Sequence, residues 1–282
     1  CDVTASIYCV GTNARNAENG GVVITLKDSA FVANAADGDN CPVMINVPGT
    51  LDINNCTIAG DRQAVLVRAG TAVITNSDIK TTGRFNEAST KYHSDAWRDG
   101  NEVPAAALTV GNYKNGPASA YLAEAKVTVT NTKLTAESGV PAIYTDANDT
   151  YKGDLTIGGD STVVTGKVMK GQKADEAVVA VTGGTFNTDI SDYADSQPVA
   201  KRNNGEYVVG TSAVVSAANA DRSITIVKGN NAQLNGVNSG VKVVVNGGVV
   251  SVNGTRVTND DVNGYTVPSR YYYYPTTDTK TT

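Results

Sequence analysis

The sequence is poor in the side chains that most often hold metal ions. It contains one histidine, His93, and four cysteines, all within the first fifth of the chain. No Cys-x-x-Cys pair is present, so neither a metal site nor a cofactor is predicted, and no cysteine is expected to be redox-active. Cys1 and Cys9 could close a small loop, whereas Cys56 lies in a strand pattern typical of a buried apolar residue. The disulfide pairing of these cysteines and Cys41 stays open.

Long runs of apolar residues and long runs of like charge are also missing. No stretch of about 18 residues is free of polar interruption, so no transmembrane segment is predicted. Charged residues make up 18% of the chain, and the net charge of −5 comes without a basic run, so a nucleic-acid partner is not expected. The surface must therefore consist largely of threonine, asparagine, serine and glycine, which favours strands and tight turns over helices.

The two ends of the chain carry their own signals. The sequence begins at Cys1 without a methionine, so we expect a processed or excised piece. Residues 275–282 are rich in threonine and contain no core-forming residues, as in a linker. An anchor is therefore expected beyond Thr282.

A short pattern recurs along the chain: alternating apolar residues, then Asn or Asp, a small residue, any residue and an apolar residue. Copies lie at 26–31, 53–58, 74–79 and 129–134, with a looser copy at 157–163 and a last one at 181–186. The terminal apolar positions are 31, 58, 79, 134, 163 and 186, which are separated by 27, 21, 55, 29 and 23 residues. Four of these intervals match one coil of a β-solenoid, roughly 20 to 30 residues.

A second strand is predicted within each coil, often opened by proline, at 42–45, 64–67, 104–110, 141–144 and 177–179. Asn or Ser at equivalent positions of successive coils can form a hydrogen-bonding ladder, and Asn and Gly at the corners accept positive φ. Gly158-Gly159 and Gly183-Gly184 are interpreted as such corners. The alternative is a β-sandwich, which would space its strands by about 8 to 12 residues without this pairing.

The 55-residue interval contains a strand at 105–110, so it is interpreted as a single coil with two insertions, at about 84–103 and 112–125. Insertions into a solenoid commonly carry the binding face, and Trp, Tyr and Arg are typical of binding hot spots. An alternative is that Trp97 and Phe85 fold back over the flank of the coil. Another is catalysis by His93 with Asp95, Asp99 or Glu102. The predicted binding residues are Tyr92, His93, Asp95, Trp97, Arg98, Asp99 and Tyr113.

No catalytic residue is predicted. A lyase needs a carboxylate cluster and a base, and a hydrolase needs two facing carboxylates, but the regular strands hold Thr, Asn, Ser and Val at such positions. Asp78 and Lys133 fall at equivalent positions of consecutive coils, as two scattered charges on a solvated face. No H-E-x-x-H motif, Ser/His/Asp order or phosphate-binding glycine loop is present.

Residues 184–193, followed by 204–209, carry a family resemblance, together with 101–112 and 267–274. These passages resemble the pectate-lyase-like right-handed β-helix domains of large cell-surface proteins from gut Firmicutes. The resemblance implies that 184–209 ends the solenoid and leads into a short β segment. It also implies a bacterial surface location and a role in adhesion or host interaction.

The expected fold class is therefore all-β: a right-handed parallel β-helix (solenoid) with a small C-terminal β appendage. The expected division is an N-terminal cap at 1–20, the β-helix at 21–209, a small all-β module at 210–268, and a Tyr run with a Thr-rich linker at 269–282. Within the module, Asn253-Gly254 is a tight-turn signal.

The expected function is an extracellular, surface-displayed binding or adhesion module whose partner is a host glycan or an extracellular protein. The alternative is a carbohydrate-active enzyme, a polysaccharide lyase or glycoside hydrolase, on the same scaffold. A purely structural stalk is the third hypothesis.

Overall fold

A computed structural model describes the backbone of residues 2–3 and 7–10, and in full residues 21–33, 41–83, 105–111, 124–137, 139–147, 152–171 and 177–269. The described chain consists mostly of β-strands, with one α-helix, so the predicted β class is confirmed. Among the described residues, no helix is long and apolar enough to cross a membrane.

The strands are numbered in chain order, and their bounds follow. They are β1 (Asp2–Val3), β2 (Ile7–Val10), β3 (Val23–Lys27), β4 (Ala30–Val32), β5 (Val43–Asn54), β6 (Thr57–Gly60), β7 (Gln63–Thr75), β8 (Asp78–Thr81), β9 (Ala106–Val110), β10 (Ala125–Thr130), β11 (Lys133–Ala136), β12 (Ile143–Thr145), β13 (Gly153–Gly158), β14 (Val163–Thr165), β15 (Val168–Lys170), β16 (Val178–Val181), β17 (Gly184–Phe186), β18 (Val199–Lys201), β19 (Tyr207–Val209), β20 (Ser223–Lys228), β21 (Ala232–Leu234), β22 (Lys242–Val245), β23 (Val249–Val252), β24 (Thr255–Thr258) and β25 (Tyr265–Thr266). The helix α1 spans Thr211–Asp221, and a short 3-10 turn spans Ser191–Tyr193.

The sequence copies stack in parallel and in register. The strands β1, β4, β6, β8, β11, β14 and β17 pair in this order within a 12-stranded sheet. Each terminal apolar residue therefore lies on its equivalent in the next copy, and the row is buried throughout: Phe31, Ile58, Ile79, Leu134, Val164 and Phe186. The predicted repeat is confirmed, with one correction: Val164 occupies the inward position assigned to Val163, because the turn before β14 is longer than in the other copies.

Each copy contributes to three rows of strands, not two. The long strands β5 and β7 each span two rows, and they pair with each other along both halves. The first half of β5 pairs with β2, and its second half pairs with β3. The first half of β7 pairs with β9, and its second half pairs with β10. One predicted strand was assigned to the wrong row. The predicted strand 177–179 overlaps the start of β16, which pairs with β13. The equivalent of Ile143 in the next copy is Val168 of β15.

Two short strands lie within the predicted cap segment. The backbone of β1 pairs in parallel with β4, and that of β2 pairs in parallel with β5. Both strands thus join the same sheets as the repeats that follow.

The tight corner inside each of the first five copies of the pattern holds one residue with positive φ. This residue is Asp28, Asn55, Asn76, Asn131 or Gly159, with φ between 50° and 84°. Asn and Asp tolerate this conformation better than other non-glycine residues. The prediction that Asn and Gly form the corners is confirmed.

A hydrogen-bond ladder runs along the same corner, one residue further on. The backbone N–H groups of Cys56, Ser77 and Thr132 donate to the hydroxyls of Ser77, Thr132 and Thr162 in the next copy, at 3.1, 3.3 and 3.4 Å. Each hydroxyl also donates to a backbone carbonyl of its own corner. The ladder satisfies buried N–H groups that the turn removes from strand pairing. A ladder was predicted for Asn or Ser, and Ser77 fits that prediction, whereas the other two acceptors are the hydroxyls of Thr132 and Thr162.

The cysteines that the structure describes lie inside. Cys56 packs in the main core, as predicted, and its thiol is not in a disulfide. The Cys41 thiol donates to the carbonyl oxygen of Val43 at 3.2 Å, and burial raises the pKa of this thiol to about 12. The side chains of Cys1 and Cys9 lie outside the described part of the chain, so their predicted loop stays a prediction.

The parallel pairing of successive repeats in this row ends at β17. Its next neighbour, β19, is antiparallel, and β19 forms a hairpin with β18. The hairpin has two buried faces: Val199 and Val209 belong to the main core, whereas Ala200 and Val208 belong to a second core formed by the C-terminal residues.

The C-terminal part departs from the prediction of an all-β appendage, because it contains α1. Val214, Ala217 and Ala218 lie three and four residues apart and bury one face of this helix in the second core. The β-branched pair Val214-Val215 obscures this helix in the sequence. The predicted turn at Asn253-Gly254 is confirmed: it joins the antiparallel strands β23 and β24, and both residues have positive φ.

Replacement of Ile58 by Asp tests the inward row. Ile58 is fully buried between Phe31 and Ile79, so a carboxylate there has no partner, and we expect a loss of about 4 kcal/mol or more in the free energy of unfolding. The measurement is thermal and urea unfolding. As a control, Val32→Asp on the exposed side of β4 should cost about 1 kcal/mol or less. Equal melting temperatures for the two variants would contradict the inward assignment.

Thr132 tests the ladder. Thr132→Val keeps the shape but removes the acceptor of the Ser77 N–H, so we expect a loss of about 1–3 kcal/mol in the free energy of unfolding. Thr132→Ser retains the hydroxyl and should cost about 1 kcal/mol or less, from one methyl group. If the valine variant melted at or above the temperature of the serine variant, the ladder would not contribute to stability.

Candidate functional site

The 55-residue interval forms a single repeat. Strand β11 pairs directly with β8, and β10 and β9 both pair with β7. Two chain segments are therefore inserted, one between Thr81 and Ala106 and the other between Val110 and Ala125. The strand pairing is consistent with one repeat that carries two insertions, and Ala125 belongs to β10 and not to the second insertion.

The predicted binding residues all lie outside the part of the chain that the structure describes. They fall within 84–104 and 112–123, which that part does not include. Their assignment therefore stays a prediction. It concerns Tyr92, His93, Asp95, Trp97, Arg98, Asp99 and Tyr113. The alternatives involving Phe85 and Glu102 fall in the same segment.

Strand β9, which connects the two insertions, is buried on both of its faces. Leu108 and Val110 point into the main core. Thr109 lies on the other face, between Leu66 of β7 and Tyr144 of β12, and is 1% exposed. The side chains of this outer row form apolar clusters that are separate from the main core: Cys41 with Met44 and Leu66, and Ala106 with Tyr144 and Met169.

Polar side chains are buried beside this outer row. Arg68 and Asp146 are 3% and 1% exposed. The Tyr144 hydroxyl donates to Asp146 Oδ2 at 2.8 Å, and the backbone N–H of Ala147 donates to Asp146 Oδ1 at 2.9 Å. Buried ionisable groups occur where the fold holds them with specific partners. Because the Asp146 carboxylate accepts from both Tyr144 and Ala147, it orders the turn after β12.

The first insertion leaves from a corner that neighbouring repeats hold on both sides. The backbone N–H of Thr82 donates to the carbonyl of Gly60 at 3.1 Å, and its hydroxyl donates to Asp61 Oδ1 at 3.0 Å. On the other side, the N–H of Glu137 donates to the carbonyl of Thr81 at 3.0 Å. The chain is thus fixed up to Gly83, where the insertion begins.

The second insertion leaves at Gly111 and returns at Glu124. The N–H of Gly111 donates to the carbonyl of Val67 at 2.8 Å, and a Cβ at Gly111 would overlap the carbonyl oxygen of Asp146. The N–H of Gly70 donates to the carbonyl of Glu124 at 2.9 Å. Both ends of this insertion are therefore held against β7.

The pair that sequence reasoning placed at equivalent positions is on the exposed side of the stack. Lys133 Nζ lies 3.7 Å from Asp78 Oδ2, and the side chains are 55% and 47% exposed. An exposed pair of this kind contributes little to stability.

Among the residues that the structure describes, no group of three or more His, Cys, Asp or Glu side chains could hold a metal ion.

Sequence reasoning missed the burial of Arg68, Tyr144 and Asp146. Two signals point to it in retrospect. Arg68 is a charged residue within the apolar run of β7, and Tyr144 and Asp146 are two residues apart, which places them on the same face of an extended chain. Neither signal shows that the outer face of these strands is buried.

Gly111 tests whether the root of the second insertion is rigid. It has φ +100°, and a Cβ there would overlap the carbonyl oxygen of Asp146. We expect Gly111→Ala to lower the free energy of unfolding by about 3 kcal/mol or more, through both strain and overlap. Gly139→Ala is the matched control, because Gly139 has φ +74° with nothing near its Cβ position and should cost about 1–2 kcal/mol. Similar losses for the two variants in urea unfolding would contradict a packed root.

No protein-family model, no curated protein and no solved structure matches the chain.

Proposed function

We propose that this chain is an extracellular binding module, displayed on a bacterial cell surface, whose partner is a host glycan or protein. The observation that carries the proposal is the single repeat with two insertions. The register fixes β9 between β7 and β12, so both insertions emerge from one repeat in an otherwise closely spaced stack. Such insertions are the usual position of binding loops in repeat proteins.

The scaffold is, in this proposal, a right-handed parallel β-helix of the pectate-lyase-like kind. Parallel, in-register pairing across successive copies supports it, as do three rows of strands and a buried apolar row inside. A solenoid stacks its repeats so that each contacts only its neighbours, which matches the pairing order β4–β6–β8–β11–β14–β17.

The composition of the first insertion supports recognition. It carries the only tryptophan of the chain, Trp97, next to Arg98 and close to Tyr92 and His93. Trp, Tyr and Arg dominate the binding free energy at protein interfaces. Rigid attachment lowers the entropy lost when loops bind, and the hydrogen bonds at Thr82 provide it on one side.

A surface location is supported by the exposed side of the strands. The outward positions of the second half of β7 and of β10 carry Thr71, Val73, Lys126 and Thr128, a weakly charged surface. A weakly charged surface built from strands supports the proposal that the module is displayed outside the cell.

Trp97 is the residue to change. We compare wild type and Trp97→Ala on a glycan array and against a panel of host extracellular proteins. Loss of a central aromatic hot spot costs about 2 kcal/mol or more, so we expect the affinity for the captured partner to fall by about thirtyfold. The control is Val73→Ala, which removes an exposed apolar side chain from a strand outside the insertions.

Equal signals from wild type and Trp97→Ala would contradict the assignment of the insertion as the binding site. Release of soluble oligosaccharides from a bound glycan would establish the alternative, a carbohydrate-active enzyme. Absence of any captured partner, both before and after deletion of 84–103, would leave the structural stalk.

A further inference from the structure

A second surface feature lies at the C-terminal end of the stacked strands. A cleft of about 470 Å³ opens between the last strands of two rows, β15 and β16, and the 3-10 turn Ser191–Tyr193. Apolar and polar side chains share its lining: Lys170, Val178, Val179, Asp192, Tyr193 and Asp195. None of these residues belongs to either insertion.

One wall of the cleft is an apolar edge. Within the part of the chain that the structure describes, β16 pairs with β13 alone, so its other edge is not covered by a strand. Val178 at the start of β16 is 48% exposed. An exposed large apolar side chain at a concave surface marks a place where a ligand can gain apolar contact.

The opposite wall is a turn that the rest of the protein holds in place. Ile190 and Ala194, on either side of the turn, are buried in the main core. The Asn230 side-chain amide donates to the carbonyl oxygens of Asp195 and Gln197 at 3.1 and 2.6 Å. The Lys228 ammonium donates to the Ser191 carbonyl at 2.9 Å. The turn is therefore preorganised, so a ligand does not have to order it.

Tyr193 is the aromatic surface of this cleft. Its ring packs partly against the main core, and the Lys170 ammonium lies 5.8 Å from the ring centroid. Burial, and to a lesser degree the neighbouring Asp192 carboxylate, raise the pKa of the Tyr193 hydroxyl, so it stays a protonated donor at neutral pH.

The charges around the cleft balance one another. Asp192 and Asp195 carry carboxylates, Lys170 carries an ammonium, and Lys228 Nζ lies 4.0 Å from Asp195 Oδ1. Two positive and two negative groups give no net preference for a charged ligand. They offer both donors and acceptors beside apolar contact surface.

We propose that this cleft binds a neutral pyranose unit of a glycan. A pyranose has an apolar C–H face, which fits an aromatic ring and an aliphatic wall, and a rim of hydroxyls that both donate and accept hydrogen bonds. In this assignment the C–H face contacts Tyr193 and Val178. Asp192 and Asp195 accept hydrogen bonds from sugar hydroxyls, and Lys170 donates one.

The site is tested with the whole chain and simple sugars. The probes are the methyl glycosides of glucose, galactose, mannose and N-acetylglucosamine, with methyl glucuronide as the anionic probe, measured by saturation-transfer NMR and titration calorimetry. At least one neutral probe should bind saturably, with a Kd of roughly 1–10 mM for a single sugar unit, and more tightly than the glucuronide. Saturation transfer should be strongest at the protons of one ring face.

Variants assign the binding to Tyr193. Tyr193→Ala should weaken the neutral probe by about tenfold, while Tyr193→Phe should retain affinity within about threefold. Tyr207→Ala is the matched control, because Tyr207 also packs against the main core beneath a lysine, with Lys201 Nζ 5.5 Å from its ring centroid, but lies outside the cleft. It should bind the probe as wild type does.

Three results would overturn the proposal: no saturable binding of any neutral probe, tighter binding of the glucuronide, or equal losses in Tyr193→Ala and Tyr207→Ala. Binding of an extended peptide along β16 in place of sugars would make the cleft a peptide site. The Trp97→Ala experiment reports on the insertions alone, so the two assignments succeed or fail separately.

Discussion

The structure depends on one constraint: the apolar row of each repeat is covered by the rows of the repeats before and after it. Leu134, for example, lies between Ile79 and Val164 and is fully buried only because both are in register with it. A shift of one residue would turn the row outward. The hydroxyl ladder at the corner reinforces the register, because each buried N–H finds its acceptor in the next repeat.

This constraint also decides where the chain can vary. Extra residues inside a strand would break the register with two neighbours, whereas extra residues at a corner leave it intact. The 55-residue repeat follows this rule, since its three strands keep their partners while both insertions leave at corners. The buried outer face of β9, with Thr109 and the nearby Tyr144–Asp146 hydrogen bond, makes the strand between the insertions a rigid support.

A stack of open parallel strands also needs an end. Here the β18–β19 hairpin provides one, because its alternating side chains bury Val199 and Val209 in one core and Ala200 and Val208 in the other. The hairpin lies in the row that ends with β17 and does not pair with β15 or β16. The proposed sugar cleft lies where those two strands meet the anchored turn with Tyr193.

The sequence by itself determined the repeat, the corners at Asn55, Asn76 and Asn131, and the presence of two insertions, because in-register stacking repeats the same local requirements in each copy. The predicted residues around Trp97 come from composition alone and lie outside the described chain. Only the tertiary structure placed Val164 inward, buried Tyr144 with Asp146, and brought Lys170, Val178 and Tyr193 to one cleft. Each of these outcomes depends on residues from other repeats or from the C-terminal part that cover the position, and periodicity reports which way a residue points but not what meets it there.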